Sequence, residues 1–266
     1  MTWAGGVFGS ARCVLAPNAN LMTLDGTNTW VISEGSHSVV IDPGPPDPGH
    51  LAAVRAAALE SAGSVDAVLL THHHLDHSEA AREFAESVGC GVRALDPAYR
   101  LGAEGLGAGD VVSVGEVEIR VVATPGHTAD SLSFVVPSQR AVLTGDTVLG
   151  RGTTVVAHPD GELGAYLDSL DRLHALAQSH EITSIWPGHG PVIEQALPVL
   201  DYYITHRHQR LDQVREALLS LGSQASARQI TEHVYADVSP ILWGAAELSV
   251  HAQVAYLRGE ARPLHG

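Results

Sequence analysis

The sequence predicts a layered α/β domain followed by a helical C-terminal region. Short apolar runs bounded by Gly, Pro, Asp or Asn are typical of strands, and they lie at residues 29–32, 38–41, 65–70, 117–123, 132–136, 141–143 and 182–185. Segments of helical period lie between some of them, at residues 48–61, 78–88 and 162–178. Strands and helices mixed in this way indicate helices packed on sheets in one domain.

The pattern changes near residue 195, where strand-like runs end. Residues 197–221, 227–236 and 245–258 all have helical character. Gly222 predicts the end of the first of these helices, and the polar residues 223–226 predict an N-cap for the second. We therefore predict a catalytic domain at residues 1–195 and a helical domain at residues 196–266.

Composition excludes several kinds of chemistry. The chain is 45% hydrophobic, so its 266 residues can bury a substantial core. All fifteen basic residues are Arg, which excludes Schiff-base and P-loop chemistry that requires Lys. The net charge of −15 argues against a general nucleic-acid binder. Two cysteines, Cys13 and Cys90, are too few for a disulfide framework.

Neither an export signal nor a membrane span is expected from the sequence. The first residues lack a basic segment followed by a long apolar run. Runs of about 18 apolar residues, the length that a membrane helix needs, do not occur. We expect a cytoplasmic enzyme that does not bind membranes, and the sequence leaves homo-oligomerisation open.

A histidine-rich motif directly follows the predicted strand at residues 65–70. Residues 72–77 read His-His-His-Leu-Asp-His, a pattern of the form HxHxDH. His72 and His74 share one side of an extended segment, while Asp76 and His77 reach a neighbouring position. Such a cluster on a rigid support can bind two adjacent metal ions. His73 would point the opposite way, so we do not expect it to be a ligand.

Three further candidate ligands follow predicted strands in the same manner. They are His127 in Thr-Pro-Gly-His-Thr, Asp146 in Thr-Gly-Asp and His189 in Pro-Gly-His-Gly. The Gly and Pro residues permit sharp turns that would bring these side chains to a common sheet edge.

These motifs, in this order, resemble those of the metallo-β-lactamase superfamily over roughly residues 15–192. The resemblance implies an αββα sandwich with a helical, winged-helix-like C-terminal appendage. It also implies that His72, His74 and His127 hold one metal ion, that Asp76, His77 and His189 hold the other, and that Asp146 bridges them. We expect Asp76 to be catalytic as well, by accepting a proton.

Imidazole and carboxylate ligands suit Zn²⁺, Mn²⁺ or Fe²⁺. Two Zn²⁺ ions are the first expectation, with Mn²⁺ or Fe²⁺ as alternatives. A metal-bound hydroxide would then attack the substrate.

Three functions remain open at this stage. The first is hydrolysis of a small ester, thioester or lactone, as in glyoxalase II-like enzymes. The second is cleavage of single-stranded RNA, since the sequence Leu-Asp-Gly-Thr-Asn-Thr at residues 24–29, the motif around His127 and the helical tail resemble the lactamase-beta-2 type branch. The acidic charge places RNA second. The third is a non-catalytic, metal-stabilised binding module, against which the complete ligand set argues.

Four residues are candidate substrate contacts. Arg151, Thr153 and Thr154 lie in a Gly-rich loop just after Asp146, and Arg151 could pair with an anionic group. Arg207 lies in the predicted tail helix beside Arg210 and two histidines, on a basic face that could recognise an anionic substrate.

Overall fold

Two stacked β-sheets form the centre of the protein. The computed structural model describes residues 3–60, 63–236 and 239–259. The first sheet has the strand order β1-β2-β3-β4-β5-β6. Its strands are β1 (Gly6–Phe8), β2 (Ala11–Leu15), β3 (Asn28–Glu34), β4 (His37–Ile41), β5 (Ser64–Leu69) and β6 (Gly91–Arg93). β1 to β4 pair antiparallel, and β4, β5 and β6 pair parallel.

The second sheet has the order β11-β10-β9-β8-β7. Its strands are β7 (Val111–Val114), β8 (Val117–Ala123), β9 (Leu132–Val136), β10 (Ala141–Gly145) and β11 (Ser184–Pro187). β10 and β11 pair parallel, so their carboxyl ends lie at the same edge.

Alternation of side chains along each strand separates the layers. In β9, Phe134 packs in the core between the two sheets, whereas Val135 packs against helices on the outer face. Trp30 of the first sheet stacks on Trp186 of the second, with ring centroids 5.1 Å apart. Both faces of the strand are apolar because both are covered.

Helices cover the outer faces of both sheets. Their bounds are α1 (Pro48–Leu59), α2 (Leu75–Ser78), α3 (Ala81–Val88), α4 (Leu163–Gln178), α5 (Ala196–Leu221), α6 (Ala227–Val234) and α7 (Trp243–Leu257). α1 and α3 pack on the first sheet, and α4 and α5 pack on the second. The four layers are those of the expected αββα sandwich, and the predicted fold class is confirmed.

The tail consists of α5, α6 and α7, which share a small core of Val214, Ala217, Ile230 and Val250. Ser226 forms a capping box with Gln229 at the start of α6, and Gly222 follows the last residue of α5. Both predicted caps are confirmed. The first half of α5 also packs on the second sheet through Leu200 and Tyr203. The division at residues 195 and 196 therefore stays a prediction.

All predicted strands and helices are present, with ends displaced by a few residues. The predicted helix at residues 48–61 ends at Leu59, and its last residue, Ser61, lies outside the described residues. β1, β2, β6 and β7 were not predicted. Over the described ranges, helices long and apolar enough to cross a membrane are absent.

Candidate metal centre

The predicted ligands converge at one edge of the sandwich, beyond the ends of four strands. The motif at residues 72–77 follows β5 and runs into the one-turn helix α2. His127 follows β8, Asp146 directly follows β10, and His189 follows β11. Both sheets contribute, so the geometry of the site depends on how they are stacked.

His72, His74 and His127 form the first group of donors. Nδ1 of His74 lies 3.1 Å from Nε2 of His72 and 3.0 Å from Nε2 of His127. Their donor atoms lie within 4.8 Å of one another. Three imidazole nitrogens pointing at one small volume can hold a single ion.

Asp76, His77 and His189 form the second group, whose donor atoms also lie within 4.8 Å of one another. Nε2 of His77 lies 3.3 Å from Nε2 of His189 and 3.4 Å from Oδ2 of Asp76. Oδ2 of Asp76 also lies 3.2 Å from Nε2 of His189. The structure therefore brings together, in two clusters, the six residues that the sequence assigned to two metal ions.

Asp146 lies between the two groups. Its Oδ1 is 3.5 Å from Nε2 of His77, and its Oδ2 is 3.3 Å from Nε2 of His189 and 3.7 Å from Nε2 of His127. Its Oδ1 is buried without a hydrogen-bond partner among the described residues. Oδ2 therefore lies near a donor of each group, and Oδ1 lies beside the second group. A carboxylate in this position fits a ligand shared by two ions.

Contacts to Nδ1, the ring nitrogen on the side away from the donor cluster, orient four of the imidazoles. Nδ1 of His77 lies 2.8 Å from Oδ2 of Asp42, and Nδ1 of His72 lies 2.9 Å from the hydroxyl of Thr71. Nδ1 of His127 is 2.8 Å from the carbonyl oxygen of residue 155, and Nδ1 of His189 is 3.1 Å from that of residue 26. Partners of this kind fix the ring orientation and tautomer of metal-binding histidines.

The histidines of the centre fall into two classes, those whose pKa is lowered and those whose pKa is raised. Burial, together with neighbouring imidazoles, holds the pKa of His72 well below its usual value and lowers that of His74 to about 4. Burial also lowers the pKa of His127. These rings are neutral near pH 7, and a neutral imidazole is the form that binds metal.

At His77 and His189, neighbouring carboxylates together affect the pKa more strongly than burial does. Burial alone would lower the pKa of His77, but Asp146, Asp76 and Asp42 raise it well above its usual value. In the same way, Asp146 and Asp76 raise the pKa of His189 to about 9 against the effect of burial. A metal ion bound by these two rings would displace their protons.

The imidazolium groups in turn keep the carboxylates ionised. Burial acts to raise the pKa of Asp76, but His77 and His189 lower it to about 2. His189 and His77 likewise hold the pKa of Asp146 well below its usual value. Both side chains are therefore available as anionic ligands.

The donor set fits metal ions by chemistry and by spacing. Ligands at about 2.0–2.1 Å around a tetrahedral ion lie roughly 3.3 Å apart, close to the 3.0–3.4 Å separations within the two groups. The absence of a side chain at Gly188 also leaves room for the side chains of Asp146 and His77. A Cβ atom at Gly188 would lie 2.5 Å from Oδ1 of Asp146 and 2.8 Å from Cε1 of His77.

A cleft of about 680 Å³ opens over the donors. Its wall includes Leu21, Met22, Leu24, Leu75, Leu149 and Leu242. Several of these are largely exposed, with Leu75 at 64% and Leu21 at 59% of full accessibility. Apolar side chains exposed around a polar centre are typical of a site for an apolar ligand.

The predicted substrate contacts have different positions. Arg151, Thr153 and Thr154 line the cleft. The guanidinium of Arg151, however, forms an ion pair with Asp25. Arg207 is only 4% exposed, donates from Nη2 to the carbonyl oxygen of Thr154 at 2.6 Å, and does not line this cleft.

His73 contacts carboxylates that belong to neither donor group, and one of its ring nitrogens also lies within 4.8 Å of ligand atoms of His74 and Asp160. Its Nδ1 lies 2.8 Å from Oδ1 of Asp130, and its Nε2 lies 3.7 Å from Oδ2 of Asp160. Asp130 raises the pKa of His73. Its contacts with the two aspartates are thus structural.

Sequence reasoning missed the role of Asp42. This residue follows β4 and has a left-handed backbone, with φ of 51°. Its Oδ1 accepts the backbone N–H of Thr71 at 2.8 Å, and its Oδ2 accepts the Thr71 hydroxyl at 2.6 Å in addition to facing His77. The available signal was an Asp at a strand end before Pro-Gly, which by itself indicates only a turn next to a hairpin.

The layered fold and the two clusters of metal-binding side chains at its edge indicate a metal-dependent hydrolase. Residues 22–179 match the sequence profile of the Metallo-beta-lactamase superfamily. The chain belongs to this superfamily. The family therefore confirms an enzyme rather than a non-catalytic binding module.

Two relatives show the range of similar proteins. The Beta-lactamase-like protein 2 homolog of Caenorhabditis elegans is 30% identical over 238 residues, which are 84% of this chain and 76% of the relative. The Atrochrysone carboxyl ACP thioesterase of Aspergillus fumigatus is 33% identical over 216 residues, which are 78% of this chain and 64% of the relative.

Two solved structures are also similar. The metallo-beta-lactamase family protein TTHA1429 from Thermus thermophilus has a TM-score of 0.77 at 20% identity, over 94% of each chain. TTHA1623, solved in a di-iron-bound form, has a TM-score of 0.54 at 26% identity, over 67% of this chain and 93% of that one. The first similarity includes most of the helical tail.

Proposed function

We propose that this chain holds two metal ions and hydrolyses an ester, thioester or lactone that carries an apolar group. The observation that carries this proposal is the apolar cleft over two convergent donor groups. In this assignment His72, His74 and His127 hold one ion. Asp76, His77 and His189 hold the other, and Asp146 contacts both.

When bound, the two ions supply Lewis acidity that lowers the pKa of water and polarises a carbonyl group. Imidazole and carboxylate donors suit Zn²⁺, Mn²⁺ and Fe²⁺. Zn²⁺ is our first choice, and the similarity to the di-iron TTHA1623 keeps iron as the alternative.

The chain's own residues position the reactants. Leu21, Met22 and Leu75 line the cleft and exclude water from the apolar part of the substrate. Asp76 also lines the cleft, with 30% of its side chain exposed, and its carboxylate is ionised. It is the group placed to accept a proton from the attacking water.

Charge favours a small acyl substrate over single-stranded RNA. Among the described residues that line the cleft, Arg151 is the only Lys or Arg, and Asp25 neutralises it. Cleavage of RNA requires an electropositive path for several phosphates. The thioesterase name of the A. fumigatus relative agrees with an acyl substrate.

The test is a parallel assay of labelled single-stranded RNA and a panel of acyl thioesters, esters and lactones. Protein with measured metal content is compared with Asp76→Ala and Asp146→Ala. We expect acyl hydrolysis that Asp76→Ala lowers by about 10²–10⁴-fold. Asp146→Ala should remove most metal and nearly all activity.

His73→Ala serves as the matched control within the motif and should retain both metals. RNA cleavage by the wild type that Asp76→Ala abolishes, with inert acyl substrates, would overturn the acyl assignment. Full activity of Asp146→Ala with two metals bound would overturn the assignment of its ligand role.

A further inference from the structure

A second cavity lies beside the catalytic cleft and is lined by the helical tail. It has a volume of about 240 Å³. Leu21, Met22, residues 153–155 and Leu242 line both this cavity and the cleft. A substrate whose reacting carbonyl lies over the metal donors can therefore extend across this shared wall into the second cavity.

Three nitrogen-bearing side chains of α5 determine the polarity and charge of this cavity. His206, Arg207 and Arg210 all line it, whereas Asp and Glu side chains are absent from its described lining. Neither arginine has an ion pair within the described parts of the chain. In a chain of net charge −15, two uncompensated guanidinium groups at one cavity favour an anionic ligand.

Two of the side chains also carry unsatisfied donors or acceptors. Nε of Arg207 and Nδ1 of His206 are buried, and neither has a hydrogen-bond partner among the described residues. Arg207 is almost fully buried, since its exposure is only 4%. A buried N–H without a partner is costly unless a ligand or water accepts it.

The electrostatics of His206 agrees with a positive cavity. Burial lowers the pKa of His206 to about 4, and the charges of Arg207 and Arg210 contribute to this effect. The ring is therefore neutral near pH 7, and the positive charge at the cavity belongs to the two arginines.

Arg210 is the arginine of this cavity whose hydrogen bonds stay within the helical tail. Its guanidinium lies over the ring of Tyr235 at 4.5 Å and donates to the side chain of Gln213 and to the carbonyl oxygen of Val234. Arg207, in contrast, also holds the backbone of Thr154. Arg210 can thus be substituted without disturbing the loop that contacts His127.

We propose that the second cavity binds a phosphate carried on the thiol arm of a thioester substrate. This inference rests on the proposed function and narrows it to thioesters of a phosphorylated thiol. In the reaction a C–O bond forms from water and the C–S bond breaks. A proton of the water goes to the leaving sulfur, so the products are a carboxylic acid and the phosphorylated thiol.

The kinetic test compares octanoyl-S-phosphopantetheine with octanoyl-S-pantetheine, which differ only in the phosphate. We expect the wild type to prefer the phosphorylated substrate by about 10- to 100-fold in kcat/KM, mainly through KM. Arg210→Met should bring the ratio of the two kcat/KM values close to one. A wild-type ratio near one, or a ratio that Arg210→Met leaves unchanged, would overturn the proposal.

Two further variants separate charge from folding. Arg215→Met changes an exposed arginine of the same helix that pairs with Asp212, and it should preserve the wild-type preference. Arg210→Gln keeps a side-chain N–H donor but lacks the charge, and it should lose the preference as Arg210→Met does. Thermal unfolding and metal content confirm that each variant is folded.

A binding measurement keeps this test independent of hydrolysis. Calorimetry with the non-hydrolysable thioether S-octyl-phosphopantetheine and its dephosphorylated form should give the same Arg210-dependent preference in Kd. If neither thioester is hydrolysed, the proposed function fails, and the two Kd values still decide the phosphate site. Displacement of the thioether by single-stranded RNA at lower concentration than by the free phosphorylated thiol would overturn the thiol-arm assignment.

Discussion

Individual imidazoles in the centre are held at both ring nitrogens. For His77, Nε2 faces the other donors while Nδ1 faces Asp42, and the same division occurs at His72, His127 and His189. A ring held in this way loses little conformational entropy when it binds metal. Residues that contact the Nδ1 atoms of these histidines should therefore influence metal affinity without binding metal themselves.

Asp42→Asn tests this influence at the most buried pair. Asn tolerates the left-handed backbone of residue 42, so the substitution changes the charge and not the turn. We expect metal affinity to fall by about 10- to 100-fold because His77 loses its carboxylate partner. The measurement is competition with a chelator of known affinity.

Asp66→Asn is the matched control, because Asp66 also faces a histidine, with Nδ1 of His37 at 2.9 Å, on the surface and outside the centre. It should leave metal affinity unchanged. Equal affinity of Asp42→Asn and the wild type would show that Asp42 does not support His77.

Gly188→Ala tests the close approach of backbone to the ligands. Its added Cβ would meet Asp146 and His77 at less than 3.0 Å. A displacement of about 1 Å at a reacting centre can cost about 100-fold in rate. We expect a loss of that order in kcat/KM, with reduced metal content.

Gly244→Ala is its control, since a Cβ there meets nothing within 4 Å of the described structure. Far-ultraviolet circular dichroism should be the same for both variants. Unchanged activity of Gly188→Ala would mean that the two side chains can move away without cost.

At the scale of elements, the sequence predicted every strand of six or more residues, whereas the strands that it missed, β1, β2, β6 and β7, have three to five residues. β9 and β8 agree with the predicted bounds because β9 is mostly apolar and because apolar residues alternate with Glu118 and Arg120 in β8. β1 and β6 have three residues each, and such short segments carry too little pattern to be recognised. Their pairing depends on neighbours distant in sequence, which no local pattern contains.

Helix α5 carries a pH-dependent contribution to stability through His206. Its pKa is about 4 in the folded protein against 6.5 for an unperturbed side chain. Between these values the unfolded chain binds more protons than the folded one. The free energy of unfolding should therefore fall as pH drops from about 6.5 to about 4.

Comparison of the wild type with His206→Gln in urea between pH 4.5 and 7 measures this effect. The variant should show a smaller fall in stability, whereas His208→Gln, at an exposed position of the same helix, should behave as the wild type. A steeper fall in His206→Gln than in the wild type would contradict the sign of the shift.

At the scale of the whole molecule, the sequence indicated which polar side chains the fold would bring together. It did not reveal the long-range contacts of the charged side chains. The seven proposed ligands could be selected because they lie in distinctive local motifs that follow strands. The pairing of Arg151 with Asp25, and the burial of Arg207 against Thr154, join segments far apart in the chain. The sequence indicated neither the ion-pair partner of Arg151 nor the burial of Arg207, because spacing cannot reveal a contact between distant segments.

The relation between the catalytic layers and the tail leads to the last prediction. Leu200 of α5 is fully buried in the core that also contains Tyr166 of α4 and Ile185 of β11. Leu200→Ala should therefore destabilise the sheets as well as the tail, by about 2–5 kcal/mol. That is a large part of the 5–15 kcal/mol, roughly, that stabilises a native protein.

Denaturant unfolding followed by two signals decides whether residues 1–195 and 196–266 fold separately. In a Trp243→Phe background, fluorescence of Trp3, Trp30 and Trp186 reports the core between the sheets, and far-ultraviolet ellipticity reports the helices. Leu200→Ala should shift both transitions together, while Leu219→Ala, at a position 82% exposed on the same helix, should shift neither by more than about 0.5 kcal/mol. If Leu200→Ala shifts the ellipticity transition alone, residues 1–195 and 196–266 are independent folding units, and the tail is an addition to the sandwich. If both transitions shift together, α5 is part of the catalytic core.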